Sequence, residues 1–176
     1  SYYLKKLKEV GLHRMSIGVE HGNEKFRREV VSRNYPNSTI IKAFNIASRL
    51  DIPVTANNIV GFPYENRKLA FDTIELNRKI ADSIDTANCV AFTPFHGTEM
   101  REMALKAGYI DDETLGACLN AGTLLNMPNF PGSEIKGLMR TFNLYIRYPK
   151  SAWPEIRKAE ENTPKGNAIF EKFREE

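Results

Sequence analysis

The chain has 176 residues, of which 41% are hydrophobic and 27% are charged, and its formal net charge is +3. Length and composition are those of one globular domain with a sizeable core. The charge is small and no block of Lys and Arg stands out, which argues against nucleic-acid binding. No apolar run reaches the roughly 20 residues of a membrane-spanning helix, so no transmembrane segment is predicted.

The ends of the sequence and its cysteines give two further expectations. Because the sequence begins with Ser1 rather than Met, we expect it to be part of a longer chain. Cys89 and Cys118 are isolated from each other and fit neither a disulfide framework nor a set of metal ligands. They are therefore predicted to be small buried residues of a protein in the reducing cytoplasm.

The first 108 residues predict three units in which a strand precedes a helix. A helix over residues 2–10 ends at Gly11, and strands follow over 14–20, 54–60 and 86–92, each with apolar residues at alternate positions or in a short run. Helices are predicted from residue 24 with Asn23 as cap, over 37–50, over 67–81, and from Thr98 to Lys106 before Gly108. This alternation predicts parallel strands with right-handed crossovers, in an open sheet or part of a barrel.

Beyond residue 109 only helices are predicted. They cover residues 133–148, 151–159 and 162–176, and Pro154 is tolerated in the first turn of the second. The chain therefore divides into an α/β part, residues 1–110, and a C-terminal helical extension, residues 111–176.

Polar residues and glycines are concentrated where the three predicted strands end. The carboxyl ends of parallel strands share one edge of a sheet, and α/β proteins bind ligands at that edge. The residues are Ser16, Glu20, His21, Gly22, Asn57, Asn58, Gly61, Glu65, Thr93, Pro94, His96 and Gly97.

Three of these residue types suggest particular roles. A carboxylate at Glu20 suits ribose hydroxyls or an amino group, with a salt bridge to a nearby Arg or Lys as the alternative. Glu65 is predicted to hold its loop by accepting backbone N–H groups or to cap the following helix. His21 and His96 have no third ligand at a recognisable spacing, so no metal site is predicted. Glycine-rich nucleotide motifs and a Gly-x-Ser-x-Gly nucleophile turn are absent.

Three stretches taken together resemble radical S-adenosylmethionine (SAM) enzymes, most closely the branch with an N-terminal cobalamin-binding domain. They are Ser16–Gly22 (SIGVEHG), Asn58–Glu65 (NIVGFPYE) and Phe92–Thr98 (FTPFHGT). The corresponding patterns of that branch are S-I-G-x-E-S-G, G-x-P-G-E and P-x-P-G-T. The resemblance covers about residues 5–110, and the later helices resemble the C-terminal extension of the same branch.

The resemblance implies a (βα)6 partial TIM barrel, of which this chain holds the fourth to sixth units. It also implies SAM contacts at eight positions along the strand ends. Glu20, with Ser16 in the same strand, would contact ribose or methionine. The backbone of Ile59, Val60 and Gly61 would pack against adenine, with Phe92 and Thr93 of the last strand also beside it. Asn58 is a further cofactor contact.

The sequence departs from this family in one major respect and several minor ones. The Cys-x3-Cys-x2-Cys motif that holds the [4Fe–4S] cluster is missing, and Cys89 and Cys118, 29 residues apart, cannot replace it. His21 and Tyr64 replace a serine and a glycine of the usual patterns, and Asn57 replaces another glycine.

We expect the cysteine motif to precede Ser1 and this chain alone to be inactive. The parent would generate a 5′-deoxyadenosyl radical for methyl transfer or rearrangement of an unknown small-molecule substrate, with cobalamin as a further candidate cofactor.

Two other interpretations remain open at this stage. One is an iron-independent barrel enzyme that uses Glu20, Glu65 and His96 as acids or bases. The other is a non-enzymatic module that binds a partner or RNA through a loose set of basic residues: Lys5, Lys6, Lys8, Arg27, Arg28 and Arg33. An incomplete sheet would also expose strand edges, which predicts oligomers formed through those edges.

Overall fold

Three parallel strands and the helices between them form the first part of the molecule. The computed structural model describes residues 2–115 and 122–175, and Cys118 lies outside them. The elements are α1 (Tyr2–Glu9), β1 (Met15–Glu20), α2 (Glu24–Glu29), α3 (Asn37–Ser48), β2 (Val54–Val60), α4 (Arg67–Ile80), β3 (Thr86–Ala91), α5 (Glu99–Lys106), α6 (Gly132–Arg147), α7 (Trp153–Ala159) and α8 (Pro164–Glu175). The predicted α/β architecture, a partial βα barrel with a C-terminal helical extension, is confirmed.

Local sequence signals set several of the helix boundaries. The side chain of Asn23 accepts the backbone N–H of Phe26 at 2.9 Å, and Thr98 caps α5 in the same way. Gly11 and Gly108 follow their helices with φ of +103° and +68°. These residues satisfy groups that a helix leaves unpaired at its ends, so these four predicted caps and stops are confirmed. The expectation that Asn37 or Ser38 caps α3 was wrong, because Pro36 precedes the helix and no side chain caps it.

The two faces of the sheet differ in chemistry. The strand order is β1-β2-β3, and the register aligns Ser16 with Thr55 and Thr55 with Thr86. In β2, residues at even positions from Val54 to Val60 are buried against the helices, while those at odd positions are half-buried on the other face. That second face, defined here as the open face, carries polar side chains. The expectation that exposed strand edges lead to oligomers stays a prediction.

Two arginines of α4 hold the helical extension against the α/β part. Arg67 contacts Glu134 at 3.0 Å and Glu160 at 2.6 Å. Arg78 donates to the carbonyl oxygens of Tyr145 and Tyr148, each at 2.7 Å, at the C-terminus of α6 where such groups lack helical partners. One cluster of buried hydrophobic residues extends through both parts, while the predicted boundary at residue 110 stays a prediction.

None of the helices within residues 2–115 and 122–175 is long and apolar enough to cross a membrane.

Candidate functional site

Glu20 stands at the carboxyl end of β1 in an unusual backbone conformation. Its φ is +62°, and the pairing register with β2 shifts between Gly18 and Glu20. Non-glycine residues in this region carry strain that concentrates at functional sites. The carboxylate folds back over Gly18, where a Cβ atom would lie 2.4 Å from Oε1 of Glu20. Burial raises the pKa of the Glu20 carboxyl above its ordinary value, and the nearby Arg33 lowers it in part.

A small cavity at the carboxyl ends of the strands, called here the rim cavity, brings several predicted residues together. It encloses about 220 Å³ and is lined by Glu20, Ile59, Phe92 and Thr93 among others. Ligand sites commonly measure ~300–1,000 Å³, so this cavity suits part of a nucleoside-sized ligand rather than a whole one. Four of the eight predicted cofactor contacts therefore share one cavity, although they come from three strands.

The other predicted contacts are placed differently. Ser16 is exposed on the open face and accepts a hydrogen bond from Asn57 at 2.6 Å. Asn58 is 1% exposed, and its carboxamide exchanges two hydrogen bonds with that of Asn77, at 2.6 and 3.2 Å. Val60 is buried on the same side of β2. At these two positions only the backbone could reach a ligand on the open face.

Glu65 fixes the turn after β2. Its Oε2 accepts the backbone N–H groups of Gly61 at 2.5 Å and Phe62 at 3.0 Å, which supports the turn at Gly61 with φ of +84°. The predicted role of Glu65 as an acceptor for its loop is confirmed, while the helix cap is the neighbouring Asn66.

A buried histidine completes the same network. His21 Nε2 lies 3.1 Å from Glu65 Oε1, and both side chains are fully buried. The backbone N–H of Asn23 donates to Nδ1 of His21 at 3.0 Å, so Nε2 carries the proton and donates to Glu65. Neither group is free to exchange a proton with a ligand. His96 is exposed and lies outside the set of described residues that line the rim cavity, so the acid–base set Glu20, Glu65 and His96 is not assembled.

The sequence analysis missed a buried arginine beneath the end of β1. Arg27 is 0% exposed and donates to the carbonyl oxygens of His21 at 2.6 Å and Tyr35 at 2.5 Å, and to Asn37 Oδ1 at 2.8 Å. Arg27 is therefore not accessible to a partner or RNA as a member of the loose basic set. The planar guanidinium group of Arg27 has five N–H donors in a fixed arrangement, which suits several carbonyl acceptors at once. These bonds hold the loop before α3.

A second buried arginine has the corresponding role after β3. Arg101, 3% exposed, donates to the carbonyl oxygens of Pro94 at 3.1 Å, Asp112 at 3.0 Å and Thr114 at 2.8 Å. It therefore ties α5 to the segment that follows this helix. No sequence motif marks Arg27 or Arg101 as buried. The one shared signal is that each lies on a short helix that follows a predicted strand.

The described residues do not fit an iron–sulfur cluster. Within residues 2–115 and 122–175, no three His, Cys, Asp or Glu side chains are grouped as metal ligands. Cys89, predicted to be buried, is half-buried in the structure. Desolvation raises the pKa of its thiol, and the Glu65 carboxylate raises it further. Cys89 therefore stays a neutral thiol near pH 7, whereas iron binds the thiolate.

Comparison with known families bears on the same strands. Residues 3–76 match the model of the Radical SAM superfamily. The radical SAM match contains β1 with Glu20, β2 and the turn that Glu65 supports, and it ends within α4 before β3. A search of curated proteins finds no match for the chain.

Proposed function

We propose that this chain is the SAM-binding second half of the barrel of a radical SAM enzyme. The observation that carries the proposal is the rim cavity, in which Glu20 and Ile59 face Phe92 and Thr93. Glu20 and Ile59 lie inside the radical SAM match, and all four residues are positions that the resemblance assigns to cofactor contact.

Different residues of the rim cavity would contact different parts of SAM. The Glu20 carboxylate would accept hydrogen bonds from ribose hydroxyls or from the methionine amino group of SAM. The backbone from Ile59 to Gly61 would pack against adenine, with Phe92 and Thr93 on its other side. In radical SAM enzymes, SAM with a [4Fe–4S] cluster supplies a 5′-deoxyadenosyl radical, and the protein supplies binding, orientation and exclusion of water.

The cluster itself would be held by another part of the complete protein. This sequence contains no Cys-x3-Cys-x2-Cys, so the chain alone is expected to be inactive. Methyl transfer or rearrangement of a small molecule, with cobalamin as a further cofactor, is the finer form of the proposal. It is supported by the three stretches that resemble the cobalamin-associated branch.

The test uses the complete gene product, reconstituted anaerobically with iron and sulfide, and the 176-residue chain alone as comparison. We expect about four irons and formation of 5′-deoxyadenosine from SAM in the complete protein, and neither in the shorter chain. Glu20→Gln should raise the KM for SAM about fivefold at unchanged iron content, because a neutral amide is a hydrogen-bond acceptor weaker by about 1 kcal/mol. Exposed Glu113 provides the matched control, Glu113→Gln. A complete protein that binds no iron, or a KM unaffected by Glu20→Gln, would overturn the proposal.

A further inference from the structure

A row of neutral hydrogen-bonding side chains crosses the open face of the sheet. Asn88 on β3 donates to Oδ1 of Asn57 on β2 at 3.3 Å, and Asn57 donates to Oγ of Ser16 on β1 at 2.6 Å. The register of the parallel strands pairs Asn57 with Asn88 directly. The row is therefore a consequence of the fold and spans all three strands.

Each carboxamide in this row keeps hydrogen-bonding capacity that the protein does not use for these contacts. A carboxamide has two N–H donors and an oxygen with two lone pairs. The Asn57–Ser16 and Asn88–Asn57 bonds use one donor of each asparagine and one lone pair of Asn57. Asn143 of α6 donates to the carbonyl oxygen of Ala87 at 3.0 Å, which leaves its Oδ1 for another partner.

Asn57, Asn88 and Asn143 line one cavity, called here the amide cavity, to which the buried Asn58 also contributes. It encloses about 690 Å³, within the ~300–1,000 Å³ usual for ligand sites, and Ile59, Val90 and Met139 form apolar parts of its wall. Among the residues that the structure describes, Glu20 is the one charged side chain in its lining.

The amide cavity adjoins the rim cavity. Glu20, Ile59 and Val90 line both of them. A molecule in the amide cavity would therefore lie directly beside a molecule in the rim cavity, as a substrate must lie beside the cofactor that acts on it.

We propose that the amide cavity is a subsite for a neutral carboxamide or lactam group of the substrate. The word substrate rests on the function proposed above, whereas the binding chemistry rests on the asparagines. A carboxamide or lactam presents one donor beside one acceptor, and the free groups of Asn57 and Asn88 match that edge. A carboxylate could accept from the free N–H groups, but it has no donor for the asparagine oxygens and would lie beside the Glu20 carboxylate. An ammonium group could pair with the Glu20 carboxylate, but it has no acceptor for the free N–H groups of Asn57 and Asn88.

The test uses three probes of similar shape and different charge: benzamide, benzoate and benzylamine. Each is titrated into the ¹⁵N-labelled 176-residue chain, and the side-chain NH₂ signals of asparagine are followed by NMR. Benzamide should shift the signals of Asn57, Asn88 and Asn143 saturably, with a Kd on the order of millimolar. Benzoate and benzylamine should bind at least tenfold more weakly.

Substitutions separate recognition from folding. Asn57→Asp and Asn88→Asp keep the side-chain shape but replace donors with acceptors, and each should weaken benzamide binding about tenfold. Asn129→Asp, at an exposed position away from the cavity lining, should leave benzamide binding unchanged. The backbone NMR spectrum identifies any variant that fails to fold. If one cavity variant fails, benzamide binding by the other tests the inference.

Two results would overturn the inference. One is equal binding of the three probes or no saturable shift with benzamide. The other is benzamide binding that survives substitution in a folded cavity variant. These titrations contain neither iron nor SAM. They therefore test amide binding even if the radical SAM proposal fails, and a negative titration would not contradict the radical SAM proposal.

Discussion

The two glycines on either side of Glu20 and His21 should respond differently to the same substitution. A Cβ atom on Gly22 would lie 2.1 Å from the carbonyl oxygen of Asp72 and 2.5 Å from Cα of Thr73, both in the backbone of α4. A Cβ atom on Gly18 would meet only the end of the Glu20 side chain, at 2.4 Å. The first contact can be relieved only by separating β1 from α4, whereas the second needs one side-chain rotation.

The expected magnitudes follow from these contacts. Gly22→Ala should lower the free energy of unfolding by about 2–4 kcal/mol, of which overpacking contributes ~1–3 and the weakened bond from Gly22 N–H to Thr73 Oγ1, 2.9 Å long, contributes about 1. Gly18→Ala should change it by less than about 1 kcal/mol, because restriction of the unfolded chain offsets the moved carboxylate. The second variant should instead weaken SAM binding, because Glu20 loses its position.

Urea unfolding of the 176-residue chain, followed by circular dichroism, measures both effects. With a denaturant slope of about 2 kcal/mol/M, Gly22→Ala should lower the midpoint by about 1–2 M and Gly18→Ala by less than about 0.5 M. In a Glu20→Ala background, Gly18→Ala should lose any destabilising effect, since the colliding carboxylate is gone. A Gly22→Ala midpoint equal to that of the unsubstituted chain would refute the reasoning from backbone contact.

Three further predictions concern Glu65, Arg67 and Glu20. Glu65→Gln should lower the free energy of unfolding by about 2–3 kcal/mol, measured by urea unfolding, because an amide replaces a buried carboxylate that accepts two backbone N–H groups. Arg67→Met should lower it by about 2 kcal/mol and speed amide hydrogen exchange in α7, because Glu160 loses its partner at 2.6 Å. The raised pKa of Glu20 means that the folded chain holds this proton more tightly than the unfolded chain. Its stabilising effect is complete below the ordinary pKa of 4.5 and is lost as the pH rises through the folded-state pKa, so Glu20→Gln should gain stability relative to the unsubstituted chain between pH 4 and pH 8.

Matched controls are available for these predictions at exposed positions. Glu113→Gln changes a carboxylate to an amide outside the Glu65 network and away from Glu20, and Lys68→Met removes a cation next to Arg67. Both should stay within about 0.5 kcal/mol of the unsubstituted chain. A loss in Lys68→Met as large as in Arg67→Met would mean that the measured effect is not the Glu160 pair. A pH-independent difference for Glu20→Gln would contradict the assigned pKa direction.

Features set by local sequence were predicted well. Asn23, Thr98, Gly11 and Gly108 act within one turn of their own positions, so the residue type and its place at a helix end were sufficient. Glu65 was also interpreted correctly as an acceptor for its own loop, because the groups that it binds lie within four residues.

Features set by tertiary packing were not predicted. The acceptors of Arg27 and Arg101 lie in loops up to 13 residues away, and an arginine on a short helix is ordinarily exposed. The left-handed backbone of Glu20 depends on a register shift between two strands, which no local pattern indicates. For Asn58 a signal was present: alternation in β2 places it with Val54, Ala56 and Val60 on the buried face.

If the rim cavity binds a ligand as proposed, the two buried arginines would affect the entropy of that binding. Arg27 and Arg101 fix the loops beside β1 and β3 through hydrogen bonds within the chain itself. A ligand entering between these loops has few backbone torsions left to order, whereas a mobile loop would lose conformational freedom on binding. More of the contact free energy would then be retained as affinity, and the mouth of the proposed site would select its ligand by a shape that is already set.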